Sequence, residues 1–263
     1  MQSQQIVQLQ QWVDQHLSTA QIDWLLSAKQ KLVEADPQKQ IDELLTISAG
    51  VKRSVPDQSF NGDDELVARF AHFDFAETIR LLLLVQVAQT CPDIAYLVKS
   101  YYQFGDQSEK TALLKGLNFI DPNGQALATA IKAGRCNATV EFSALALQNP
   151  YPAEFFPELN FNQMVLKALF MGLDISSVTN LNTRQNAELS NMCFAYVIEQ
   201  ALADRTPPAS IWLAIQLHNL NDQHQVELER YTQHFYQKDA GHKQQITQLL
   251  AKHKPELLAQ IKG

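Results

Sequence analysis

Apolar residues recur along the chain at steps of three and four, the spacing that gathers them on one face of an α-helix. Ile6, Leu9, Val13 and Leu17 make the first stripe, and Ser18 or Thr19 can cap a second helix carrying Ile22, Leu25, Leu26 and Val33. Asp36-Pro37 stops that helix, and Pro37 suits the first turn of the next, with Ile41, Leu44, Leu45 and Ile47 inward. Residues 55–62 read as a loop, poor in helix formers. Asp74 and Glu77 are spaced as a capping pair before IRLLLLVQVA, apolar nearly all round and so expected at the centre of the fold, with Arg80 near its start. Pro92 opens a helix through Ile94, Leu97, Val98 and Tyr101 that stops near Gly105. Asp106 and Glu109 repeat the capping pair before TALLKGL. A short helix follows from Pro122 to Gly134, and Asn137 is placed to cap ATVEFSALALQ as far as Asn149.

Residues 149–172 form the densest mixture of prolines, aromatics and polar side chains, leading into a helix over NQMVLKALF. Residues 174–183 read as a polar loop before a long helix carrying Leu189, Met192, Cys193, Tyr196, Val197 and Leu202. Pro207-Pro208 breaks that helix and launches IWLAIQL. From Asn221 onward two amphipathic helices divide near residues 239–241, and a terminal piece follows Pro255. This pattern predicts about a dozen helices in pairs, near the period of helical repeats. No run alternates at period two. The expected fold is therefore all-α: an irregular α-solenoid of paired antiparallel helices, HEAT- or TPR-like, with no sheet. It is expected to be a single domain over residues 1–263, with residues 1–60 and 220–263 as less tightly packed ends.

Composition narrows this further. Hydrophobic residues make up 46% of the 263 and only 9 are Gly and 10 Pro, which suits long helices joined by short loops. A formal charge of −7 speaks against nucleic-acid binding, which needs a basic face. Cys91, Cys136 and Cys193 fit neither zinc spacing nor a disulfide framework, so a reducing compartment is expected. The first residues have no basic region and no apolar core of a signal peptide. No apolar run approaches the roughly 20 residues of a membrane span. A cytoplasmic location follows as the expectation.

Familiar chemistry is missing from the sequence. It holds no phosphate-binding glycine loop, no H-E-x-x-H, no Glu-x-x-His and no G-x-S-x-G. The histidines, His16, His72, His218, His224, His234, His242 and His253, show no metal-binding spacing, so no metal site, no cofactor and no catalytic residue is assigned. Polar groups do stand among apolar neighbours. On the helical wheel Phe161, Val165, Ala168 and Leu169 share one face, Asn162 falls inside apolar surroundings, and Gln163 and Lys167 flank Phe170. One reading is structural, with Asn162 tying the loop over residues 149–157 to the helix and Lys167 reaching solvent along its stem. The other has Arg80, Arg135 and Lys167 converge with Asn137, Asn162 and Gln163 on an anionic small molecule, a phosphate or carboxylate. An interaction surface for a partner protein is the third.

Arg135, Asn137, NPYPAEFF and NQMVLKALF, supported by Arg80 and Arg184-Gln185-Asn186, are the residues by which the chain resembles EboA-type bacterial proteins. Residues 135–172 are the core of the resemblance. Cys136 stands where that family usually has Thr, and Phe161 where Trp is common. The resemblance implies an all-helical accessory protein encoded in clusters with a UbiA-like prenyltransferase and other enzymes of specialised-metabolite synthesis or export, without a catalytic activity of its own. Its implied partners are the metabolite, the membrane prenyltransferase and other products of such a cluster. The alternatives are a pure scaffold or an enzyme of unrecognised type acting on an anionic substrate, for which Glu141 and Glu154 are the nearest titratable groups in sequence.

Overall fold

The computed structural model describes residues 2–36, 39–55 and 65–262, so Pro37 and all but Val55 of the loop expected over residues 55–62 lie outside the described residues. The described residues form helices and turns with no β-strand. The chain divides into two compact units, Met1–Tyr151 and Pro152–Gly263. None of the described helices is long and apolar enough to cross a membrane.

The first unit holds α1 (Gln2–His16), α2 (Thr19–Glu34), α3 (Gln40–Ser54), α4 (Glu65–Phe70), α5 (Phe75–Thr90), α6 (Ile94–Phe104), α7 (Gln107–Ile120), α8 (Leu127–Ala133) and α9 (Thr139–Ala146). α5 is its axis. Residues Phe75 to Val85 are all buried, and α5 packs against α1, α2, α3 and α7. The approach of α7 is closest at Gly116, where an added Cβ would stand 2.5 Å from Leu81 Cδ1. Both expected capping pairs form: Asp74 Oδ1 accepts from the Glu77 amide at 2.6 Å, and Asp106 Oδ1 from the Glu109 amide at 2.8 Å, with each Glu bonding back. Glu77 also takes the Lys115 ammonium at 2.6 Å, pairing its charge inside the fold.

The structure departs from the sequence pattern at several helices. Leu26 and Val33 are 60% and 71% exposed, because α2 buries the narrower stripe Leu25, Ala28 and Leu32. Asn137 is exposed and Ala138 holds the cap position of α9, with no side-chain cap; the Cys136 sulfur accepts the Ala138 amide instead. That helix also stops at Ala146, short of Asn149.

α10 (Pro150–Phe155) lies across the boundary between the units. The second unit continues with α11 (Glu158–Phe170), α12 (Leu181–Arg184), α13 (Ala187–Leu202), α14 (Asp222–Tyr236), α15 (Ala240–His253) and α16 (Pro255–Lys262). IWLAIQL, expected as an α-helix, is a 3-10 helix over Ala209–Ala214 that stops at Ile215, where the chain turns extended. It packs against α15 through Trp212 and His242. Trp212 Nε1 donates to His242 Nδ1 at 2.9 Å, and His242 Nε2 stands 3.0 Å from the Pro207 carbonyl, which can only accept. The proton is therefore on Nε2, and a second proton would set Nδ1–H against the indole N–H.

Burial, opposed by the Pro207 bond and by Asp239, holds His242 below its ordinary pKa. The unfolded chain therefore takes up this proton first as pH falls. Its contribution to stability is complete above the unfolded value near 6.5 and is lost below it, with a slope no steeper than about 1.4 kcal/mol per pH unit for one proton. Thermal melts between pH 7.5 and 5 should show a falling Tm whose slope is reduced in His242→Asn. Burial also lowers His224, so part of the acid slope remains in that variant. An unchanged slope would remove His242 from the acid sensitivity.

Candidate functional site

The six residues singled out from the sequence fall in both units: Arg80, Arg135 and Asn137 in the first, Asn162, Gln163 and Lys167 in the second. Arg80 is 1% exposed. Its guanidinium donates to the Ser48 carbonyl at 3.3 and 3.2 Å and to Ser108 Oγ at 2.9 Å, joining α3 and α7 across α5. Arg135 and Asn137 are exposed at the turn before α9. Asn162 is fully buried and forms a two-way amide pair with Asn186, at 3.1 and 3.0 Å. Gln163 is exposed and Lys167 half-buried on the same helix.

Asn186 shows why the amide pair holds. Its Oδ1 also accepts the Leu189 amide at 2.8 Å, capping α13, so one side chain ends a loop, starts a helix and fixes α11. Beside it, Arg184 donates to the carbonyls of Pro152, Ala153 and Phe156 and lies 4.5 Å above the Phe161 ring. A cation here bonds carbonyls at the end of α10, of which that of Pro152 also accepts the Phe156 amide at 3.1 Å. From the sequence alone Arg184 reads as solvated or salt-bridged. Its partners are main-chain carbonyls, which leave no trace in a residue pattern.

The NPYP segment is tied in the same manner within the first unit. Asn149 Nδ2 donates to the Leu114 and Ala144 carbonyls at 2.8 and 3.0 Å, and its Oδ1 accepts the Tyr151 amide at 3.0 Å. Tyr151 donates at 2.6 Å to Asp121, which also accepts the Gln125 and Ala126 amides. Burial first, then the Asp121 carboxylate, drives the Tyr151 phenol well above its usual range and keeps it a donor. Tyr102 is shifted the same way, by burial and then by the hydrogen bond it donates to Glu141. Cys193, fully buried, is pushed to about 12 by burial alone, so its thiol stays protonated and inert.

A cleft of about 670 Å³ opens in the first unit, a volume suited to a drug-sized molecule. The end of α2 supplies Leu32, Val33 and Ala35, and the start of α3 supplies Gln40, Ile41 and Asp42. The last turn of α5 contributes Gln86 to Thr90 except Ala88, and Cys91 and Pro92 follow. Asp93, Tyr96, Ser100 and Phe104 come from the cap and face of α6. Val33, Tyr96 and Phe104 are 71%, 60% and 68% exposed, so three large apolar side chains that the core does not use line one concavity. None of the six sequence candidates lines it. No signal in the sequence pointed to it, since the helical repeat counts Val33 among the inward residues of α2 and only the structure sets it on the wall. Among the described residues no group of three or more His, Cys, Asp and Glu is placed to hold a metal ion.

Comparison with protein families matches residues 5–216 to the family described as metabolite traffic protein EboA, far beyond residues 135–172. Neither the curated proteins nor the solved structures contain a match.

Proposed function

We propose, from the premise that this chain belongs to the EboA family, that it is a binding component of metabolite traffic which shelters a largely apolar small molecule in the cleft between α2, α3, α5 and α6. The observation that carries this is the gathering of Val33, Tyr96 and Phe104 on one concavity while other apolar side chains of the same helices are buried. Exposed apolar area is costly in water at about 25 cal/mol per Å², and a ligand that covers it recovers that free energy. The role is accessory: the protein holds a pathway intermediate and gives it up to an enzyme or exporter.

Native mass spectrometry of the freshly purified full chain should find a retained small molecule. The neutral probe N-phenyl-1-naphthylamine should bind with a rise in fluorescence. Val33→Asp with Phe104→Ala should weaken probe binding about tenfold or more, while Tm moves little, since both side chains are mostly exposed. Probe binding left intact in that double variant would overturn the assignment of the cleft.

A further inference from the structure

The charged groups of the cleft wall are all of one sign. Among its lining residues are two carboxylates, Asp42 and Asp93, both exposed, and no lysine, arginine or histidine. Four donor groups of the wall are already turned onto carbonyls: Gln40 Nε2 onto Leu32 at 2.9 Å, Gln86 Nε2 onto Lys29 at 2.9 Å, Thr90 Oγ1 onto Val87 at 3.3 Å and Cys91 Sγ onto Asp93 at 3.3 Å. Two helices begin at the cleft, α3 with Asp42 in its first turn and α6 with Asp93 as the cap that accepts the Tyr96 amide at 2.8 Å, and three end there, since Ala35, Cys91 and Phe104 stand at the C-terminal ends of α2, α5 and α6. Such ends carry carbonyls and partial negative charge, which favour cations and donors.

Resting on the cleft reading above, we infer that the ligand is an apolar molecule whose polar end is a hydrogen-bond donor, best a cationic amine, and that the cleft disfavours an anionic end. An ammonium would sit against Asp42 and Asp93 and the terminal carbonyls, with the apolar body along Val33, Tyr96 and Phe104. A carboxylate in that place would meet two like charges and no cation, with only the neutral donors of Gln89, Tyr96 and Ser100 to replace its lost water. This preference has the opposite sign from the one expected of Arg80, Arg135 and Lys167.

The test is displacement of N-phenyl-1-naphthylamine from the full chain at pH 7 and physiological salt, by dodecylamine and by dodecanoate below their micellar concentrations. The two share one chain and differ only in the charged end. Dodecylamine should displace the probe at a concentration about tenfold lower than dodecanoate, the size expected for two partly screened carboxylates. In Asp42→Asn/Asp93→Asn the gap should shrink to about threefold or less, with helicity kept because Asn also caps α6 at position 93. Equal displacement by the two, or a gap unchanged in the double variant, would overturn the charge preference while leaving the cleft as the site. Failure of the probe to bind, or its indifference to Val33→Asp/Phe104→Ala, would overturn the cleft reading and this inference with it.

Discussion

Asp121→Ala is expected to be among the most destabilising single substitutions in the first unit, at about 3–5 kcal/mol. The side chain is fully buried and its two oxygens accept from the Gln125 and Ala126 amides and the Tyr151 hydroxyl, at 3.0, 2.7 and 2.6 Å. Alanine would leave three donors facing an apolar void. Each buried unsatisfied group costs roughly 1–3 kcal/mol, and relaxation of the turn before α8 recovers part of the sum. Tyr151→Phe removes only one of the three bonds and takes the unmet donor away with it, so its cost should be about 1 kcal/mol. Urea unfolding followed by circular dichroism measures both. A loss under about 1 kcal/mol for Asp121→Ala would mean that water replaces the carboxylate and that the NPYP tyrosine is held by packing alone.

Arg184→Ala carries the second large effect, about 2–3 kcal/mol in the second unit. The guanidinium gathers three carbonyls at the end of α10 and covers Phe161. Charge-assisted bonds of this type are worth more than neutral ones, and the planar fork can serve several acceptors at once while resting on a ring. Arg184→Lys should recover less than half of the loss, because an ammonium on a flexible stem cannot both span the carbonyls and stack. Full rescue by lysine, read from the same unfolding curves, would show that only the positive charge matters. Both effects concern stability, and neither residue lines the cleft, so probe binding should survive wherever the first unit remains folded.

These two residues show where sequence inspection stops. Asp121 stands just before the short helix expected from Pro122 and carries no signal of its own, and Arg184 reads from the sequence as solvated or salt-bridged. Their partners lie 30 and 28–32 positions away for Tyr151 and for the α10 carbonyls. Asn162 is legible as a buried amide that needs a partner, and one of the readings open from the sequence ties it to the loop over residues 149–157. The partner is Asn186, 24 positions downstream, where α11 and α13 pack together. Arg80 was likewise legible as a cation in an apolar helix, yet nothing in its spacing pointed to Ser48 and Ser108.

By itself the sequence determined the helical class, the central place of α5, the two acidic capping pairs and the family. Each of these rests on local rules, such as periodicity near 3.6 and bonds between residues three apart, or on a run of matched residues. Only the tertiary structure decided which polar side chains serve the scaffold and where a concavity is left open. Those depend on which distant carbonyl, amide or apolar face a helix meets. Val33 makes the point: the 3.6-residue repeat alone put it inside, and the packing of α2 against α3 and α5 left it on the wall of the cleft.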